Sequence, residues 1–303
     1  MRRIPLYFSL SILSLTFLFA PVPEALGEDR CAGSTTVSSM DEIPVRTELT
    51  RKESANLRHL KRELIKEGIP KEEVEAIFSD PAFGLNDIGV KLAKNNPEKK
   101  VATGEETYQW YKRCFGLERR IKSYKDFIAE YRSDLTGAEK KYGVDARYIV
   151  SILGVESDFA RDQGRFKAVN ALTTQYLLVE RRRGYAYRQL VELIGYSKKT
   201  EMKLYDITSS YMGAIGCGQF IPASLNHYFV GETGKVEEAD PFNVTDCIYS
   251  IAYYLKRSRW DRKENGKTPT KGSKNWKAIR AYNHSDAYTR FVIETADRLK
   301  VLD

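Results

Sequence analysis

DARYIVSILGVESDF, residues 145–159, places a carboxylate where a helix should be apolar. Ile149, Ile152, Leu153 and Glu156 fall at i, i+3, i+4 and i+7, the spacing that lines one side of an α-helix. Gly143 breaks the preceding helical run, and Asp145 can cap the new one or favour its positive end. Glu156 then points inward with the hydrophobes. Desolvation disfavours its charged form and keeps a proton on it near neutral pH, as a general acid requires. The same spacing also suits a carboxylate at the edge of the stripe, paired with one of the many Lys and Arg side chains. Periodicity alone leaves both readings open.

The chain has 303 residues, 42% hydrophobic and 30% charged, enough for one large or two small folded domains and unlike a disordered chain. Met1–Gly27 reads as a signal peptide: Arg2 and Arg3, the apolar run Ile4–Ala20, then Ala25-Leu26-Gly27 with small residues where a peptidase cuts. A retained anchor helix is the alternative, although the apolar run is short for a bilayer. Glu28, Asp29 and Arg30 ahead of Cys31 argue against a lipoprotein. The expectation is an exported protein of the periplasm or cell envelope, with membrane association left open.

Loss of the signal removes two basic residues and one acidic residue, so the formal charge goes from +8 to +7. A basic exported chain favours an acidic polymer or a membrane surface as partner, or simply carries a well-solvated surface. No nucleic-acid-binding motif accompanies the charge. Cys31, Cys114, Cys217 and Cys247 remain after cleavage, without the CxxC spacing of a zinc site. They allow two disulfides in three pairings, and we expect Cys217 with Cys247 and Cys31 with Cys114.

Residues 28–50, rich in Ser and Thr, read as a flexible leader. From Arg51 to Phe78 the pattern is helical: Leu57, Leu60, Leu64 and Ile65 make a stripe, Gly68 stops it and Pro70 opens a second helix ending near Ser79. Gly84–Gly104 reads as a polar connector. Helices are expected over Glu105–Phe115, Arg119–Lys141, Asn170–Val179, Ala186–Leu193 and Pro241–Lys256, with helical sequence again from Trp276 to Leu299. Arg181-Arg182-Arg183 reads as a solvated face from which one Arg could reach an acidic ligand. Strand signals are sparse, so the protein is mainly α. Three glycines within Gly213–Gly218 let the backbone approach a ligand closely, and Gln219 beside them offers both a donor and an acceptor. The loop lacks the Lys and Ser/Thr of a phosphate loop. His284 has no second ligand-type neighbour and reads as structural.

Three segments stand in order: GVES at 154–157, GAIGCGQFIP at 213–222 and AYNHSDAY at 281–288. Together they resemble the lytic murein transglycosylases of the membrane-bound B type, whose pattern is a catalytic Glu in GVET, a GAMGxGQFMPS loop and a Tyr-Asn segment. The resemblance runs from about Leu57 to the C-terminus. It implies a lysozyme-like helical fold with a substrate groove, in which residues 51–303 form the catalytic region and helices of 51–140 pack on a core of 141–303. It further implies cleavage of the MurNAc–GlcNAc bond of peptidoglycan strands by a monomer without cofactor, leaving 1,6-anhydromuramic ends. Glu156 would be the single acid and base, a role that needs no second carboxylate because the sugar's C6 hydroxyl replaces water. Ser157 and Gln219 would orient the muramic acid, Phe220 would wall the groove, and Tyr282 and Asn283 would hold the sugar and Glu156. Asp158 points off the Glu156 face and is not read as a nucleophile.

The B type carries an Asp-x-x-Gly-Asp-Gly calcium loop, but residues 229–240 here read FVGETGKVEEAD and lose that ligand spacing, so no metal is expected. Cys217 replaces a bulkier loop residue. A hydrolytic muramidase and a non-catalytic peptidoglycan-binding scaffold are the rival readings.

Overall fold

The computed structural model describes residues 43–94 and 104–299; the signal segment, most of the leader and Cys31 lie outside them. Among the described residues the helices are α1 (Arg51–Lys66), α2 (Lys71–Ser79), α3 (Asp87–Lys94), α4 (Gly104–Phe115), α5 (Leu117–Glu130), α6 (Arg132–Tyr142) and α7 (Ala146–Ser157). They continue with α8 (Ala168–Leu178), α9 (Arg183–Thr200), α10 (Pro222–Tyr228), α11 (Val244–Arg257), α12 (Lys274–Tyr282) and α13 (Asp286–Leu299). A two-residue antiparallel pair, β1 (Phe166–Lys167) with β2 (Thr208–Ser209), is the only sheet among the described residues. The fold is mainly α, and no described helix is long and apolar enough to cross a membrane.

Local chemistry sets the helix ends. Thr50 and Glu53 form a reciprocal capping box at the start of α1, and Leu57, Leu60 and Leu64 bury its inner face. Ile65, expected in that stripe, is instead exposed. Gly143 closes α6 in the left-handed region, and the Asp145 side chain then accepts the Arg147 N–H to start α7. Asn243 caps α11 in the same way through the N–H of Asp246.

Two helices form the centre. Every residue of α7 from Tyr148 to Ser157 is buried, and it packs against α5, α6, α11 and α13. Buried from Ala168 to Leu177, α8 packs against α1, α3 and α9. Such helices have no solvent face to pattern, which fits their place in the middle of one continuous apolar cluster.

Three elements differ from the sequence reading. The connector contains α3, whose Leu92 packs with Phe166, Tyr211 and Met212. The expected helix over Arg119–Lys141 is two, broken at Tyr131, because α5 lies on α4 and α7 whereas α6 lies on α11 and α7. The helical sequence after Trp276 is likewise split, with Asn283 leaving the helical region between α12 and α13.

Arg46 joins the N-terminal helices. Its guanidinium takes both carboxylate oxygens of Glu53 at 3.0 Å and reaches Asp87 Oδ2 at 2.8 Å, tying the start of α1 to the start of α3. The hydrogen bonds from Arg46 hold the Glu53 carboxyl at about 2, below its ordinary value of 4.5. A folded-state value below the unfolded one supplies stability above pH 4.5 that is lost as the pH falls toward 2. Glu53→Gln should therefore be less stable than wild type at pH 7, with the gap closing on acidification. Denaturant titrations at both ends of that range check it, and a constant difference would assign the loss to packing.

Candidate active site

Glu156 lies in the last turn of α7 and is only 6% exposed. Its Oε1 accepts a hydrogen bond from Tyr288 Oη at 2.7 Å, across 132 residues of sequence. Burial first, and then the Glu156 charge, push the Tyr288 phenol well above its ordinary pKa, so it remains a donor. Beyond Ser157 the chain enters an unusual turn: Asp158, Phe159 and Ala160 all have positive φ, at 51, 58 and 64°. Non-glycine residues there each cost about 1–3 kcal/mol, so the surroundings must hold them. They do: Phe159 N–H reaches Leu153 O at 3.1 Å, Asp162 N–H reaches Ser157 O at 2.9 Å, and Ala160 N–H reaches Ser157 Oγ at 2.9 Å. Arg120 pairs with Asp158 and donates to Gly154 O, with its guanidinium over the rings of Phe115 and Phe159.

The glycine-rich loop is a tight hairpin in which Ile215 and Phe220 exchange backbone hydrogen bonds at 2.9 and 3.0 Å. At Gly216 φ is +72°, and a Cβ would lie 2.0 Å from Pro241 O. A Cβ on Gly218 would strike the Phe220 ring at 2.6 Å. The glycines therefore serve close packing as well as backbone freedom. Cys217 is bonded to Cys247 in the first turn of α11, which fixes the loop to that helix. Cys114 is disulfide-bonded too, whereas its expected partner Cys31 lies outside the described residues. Two further bonds join the loop to its neighbours: Ser157 Oγ donates to Cys217 O at 2.6 Å, and Tyr282 Oη donates to Gly218 O.

A cleft of about 470 Å³, including its open mouth, adjoins this hub. Gln219, Phe220, Tyr282 and Asn283 line it together with Ile221, Ser224, Tyr254, Ala281 and His284. Phe220 stands edge-on to Tyr282, Tyr254 and Phe229, with centroids 5.3–6.0 Å apart. Burial first, and then the charge of nearby Glu156, raise the Tyr282 phenol. Four of the sequence-selected residues thus share one cleft. Ser157 does not: it has no exposed surface, and its hydroxyl ties α7 to the loop. The sequence singled out neither Tyr288 nor Tyr254, although Tyr288 lies inside the third quoted segment, and His284, read as structural, lines the cleft. Of the basic run, Arg181 is exposed but Arg182 is buried, donating to Gln175 Oε1 at 2.6 Å and covering the Tyr185 ring.

The segment 229–240 does not fit a calcium ion. Asp246 uses its two oxygens on the N–H groups of Glu232 and Asp240, and Lys141 Nζ occupies Glu232 O at 2.6 Å. No cluster of three or more acidic, His or Cys side chains suited to a metal occurs among the described residues.

A family model described as the transglycosylase SLT domain matches residues 52–271. The chain belongs to this transglycosylase family. Membrane-bound lytic murein transglycosylase B of Escherichia coli K12 is 30% identical over 152 residues, 50% of this chain. That match spans only 41% of the length of the E. coli protein. Soluble lytic transglycosylase SltB1 from Pseudomonas aeruginosa superposes with a TM-score of 0.69 at 24% identity, covering 81% of this chain and 98% of that one. SltB3 from the same organism, in complex with NAG-anhNAM-pentapeptide, superposes at 0.66 and 19% identity over 83% and 80%. The fold is that of the lytic transglycosylases, helical and lysozyme-like.

Two substitutions test the hub. Tyr288→Phe leaves a buried charged acceptor without this donor and should lower stability by about 1–3 kcal/mol, read from denaturant unfolding. Replacing Cys217 and Cys247 together by Ala opens a loop of 30 residues and should cost roughly 3 kcal/mol. A double mutant as stable as wild type would show that packing alone holds the loop.

Proposed function

We propose that the protein is a lytic transglycosylase that cleaves the MurNAc–GlcNAc bond of peptidoglycan strands, with residues 51–303 as its catalytic region. One observation carries this reading: the buried carboxylate of Glu156, hydrogen-bonded by Tyr288, lies near enough to Tyr282 to raise its phenol, and Tyr282 lines an open cleft with Gln219, Phe220 and Asn283. Glu156 acts first as an acid, giving its proton to the glycosidic oxygen as the C1–O bond breaks. It then acts as a base and takes the proton of the muramic C6 hydroxyl while O6 bonds to C1. The 1,6-anhydro ring closes, the glycan is cut, and no water is consumed. The Tyr288 hydroxyl, which donates to Glu156 Oε1 at 2.7 Å, stabilises the carboxylate left after transfer.

Gln219 and Asn283 supply amide contacts to the sugar, and Phe220 and Tyr282 form the wall against which it lies. Ser157 acts as a positioning residue by holding the end of α7 against the loop. The muropeptide named with SltB3 and the murein named with the E. coli relative support a cell-wall substrate, in keeping with a basic chain and with action in the cell envelope.

Glu156→Gln keeps the size and hydrogen bonding of the side chain but removes the transferable proton. It should fold, bind sacculi and lose about a hundred- to ten-thousandfold in the rate of muropeptide release. A lowered melting temperature with normal turnover of the folded fraction would instead make Glu156 structural. Mass spectrometry of wild-type digests decides the reaction type: anhydro ends support the proposal, reducing ends mean a hydrolytic muramidase, and binding without release means a scaffold.

A further inference from the structure

Residues 256–277, which span the end of α11 and the start of α12, read KRSRWDRKENGKTPTKGSKNWK: nine Lys and Arg against Asp261 and Glu264, a net +7 beside +8 for the whole chain. The basic character of the protein is thus gathered in one segment. All nine cations are exposed. Among the described residues only two of them pair with carboxylates, Lys271 with Asp286 and Lys274 with Asp261. The two acids also serve the backbone: Asp261 accepts the N–H of Lys263 at 3.0 Å, and Glu264 accepts the N–H of Asn275 at 3.1 Å.

The segment is packed onto the fold. Trp260 is buried against Tyr148 of α7, with ring centroids 4.9 Å apart, and its Nε1 donates to Asn265 Oδ1 at 2.9 Å. Asn265 donates in turn to Gly143 O at 3.2 Å, and buried Asn275 accepts the N–H of Asp261 at 2.7 Å. Cations carried on such a frame need less ordering on binding than cations on a loose chain. The frame also meets the cleft. Tyr254 and Ala281 line that cleft, and Tyr254 Oη donates to Ala281 O at 2.7 Å. Arg257 follows Tyr254 by three residues, about 4.5 Å of helix rise, and Lys277 precedes Ala281 by about one turn.

Position and charge restrict the partner. A phospholipid surface is gripped by exposed apolar side chains as well as by cations, and the one exposed large hydrophobe among the described residues, Ile65, is on α1. A single small anion needs converging donors, whereas these cations are spread over two helix ends and the loop between them. A long partner with spaced carboxylates fits, and a murein strand is one, since the peptides on its muramic acids end in carboxylates. Exposed ion pairs are individually weak, so several must act together. We propose that residues 256–277 form an electrostatic docking surface for the peptide carboxylates of the strand whose sugars enter the cleft. This inference rests on the cell-wall reading of the cleft.

The probe is sacculi, intact or stripped of their peptides by an amidase, co-sedimented in the cold with the full chain. Lys256→Gln, Arg257→Gln, Lys263→Gln and Lys267→Gln combined should weaken binding to intact sacculi at low salt by about tenfold. The difference should vanish on stripped sacculi and at about 1 M salt, where the Debye length is about 3 Å. Arg51→Gln, Lys52→Gln, Arg58→Gln and Arg62→Gln combined remove the same charge from α1 and should change binding by less than about twofold. Exchanging Lys for Arg and Arg for Lys at the four loop positions should leave wild-type binding. Equal losses in the two Gln variants, an equal loss on stripped sacculi, or no loss overturns the proposal, as does capture by phosphatidylglycerol vesicles in place of sacculi. Muropeptide release by wild type tests the parent reading separately, because release can occur while binding ignores these four cations, and binding can depend on them without release.

Discussion

The hydrogen bond from Tyr288 Oη to Glu156 Oε1 is the constraint around which the rest is arranged. A carboxylate buried on a helix with apolar neighbours on every side is costly unless it is hydrogen-bonded. The donor comes from α13, so α7 and α13 must pack face to face, and Tyr288 is also held by the Tyr111 ring of α4. The helix that carries Glu156 is thus fixed to the C-terminal helix of the described chain. Its other end is fixed by Asp145 and the Gly143 turn. Between these two points α7 has no freedom to slide, and Glu156 keeps one place relative to the cleft.

The loop that faces Glu156 is held by a different means. Its two ends meet through the Ile215–Phe220 pair, its middle is bonded to α11 through Cys217, and its carbonyls accept from Ser157 and Tyr282. Gln219 itself sits at φ +49°, and its side chain returns to Gly216 O at 2.8 Å. The three side-chain ties from outside the loop come from different elements, α7, α11 and α12. A loop anchored by several elements can keep backbone strain that a free loop would relax. The segment 229–240 follows the same logic, with the carboxylate of Asp246 and the ammonium of Lys141 holding backbone groups through local charge.

Much of this was legible in the chain. The α7 spacing identified the helix and its inward Glu, the caps at Asp145 and Gly143 marked its start, and the three quoted segments do meet in space. What escaped reading depends on tertiary partners. No local signal breaks Arg119–Lys141 at Tyr131, because the break exists to let two halves lie on different helices. The family resemblance gave Ser157 a substrate-orienting role, whereas in the structure its hydroxyl is buried and donates to the loop carbonyl of Cys217. No sequence signal singled out Tyr288 or Tyr254, and only the fold shows that one reaches Glu156 and the other lines the cleft. His284 read as structural, and the fold brings it to the lining of the same cleft.

The geometry after Glu156 also bears on why one carboxylate should suffice. A retaining or inverting glycosidase needs a second carboxyl placed across the bond, and Asp158 is the acidic residue nearest in sequence. Its backbone is left-handed, and its carboxylate pairs with Arg120 and Arg161. Arg120 in turn holds Gly154 O, so this ion pair is part of what ends α7. A carboxylate engaged by two guanidinium groups is a poor nucleophile and a poor base, because attack would require leaving both cations. Moving it would also release three strained residues from the turn that positions Ser157. The same contacts that make the turn stable therefore engage the carboxylate of Asp158 and argue against its use as a second catalytic carboxyl.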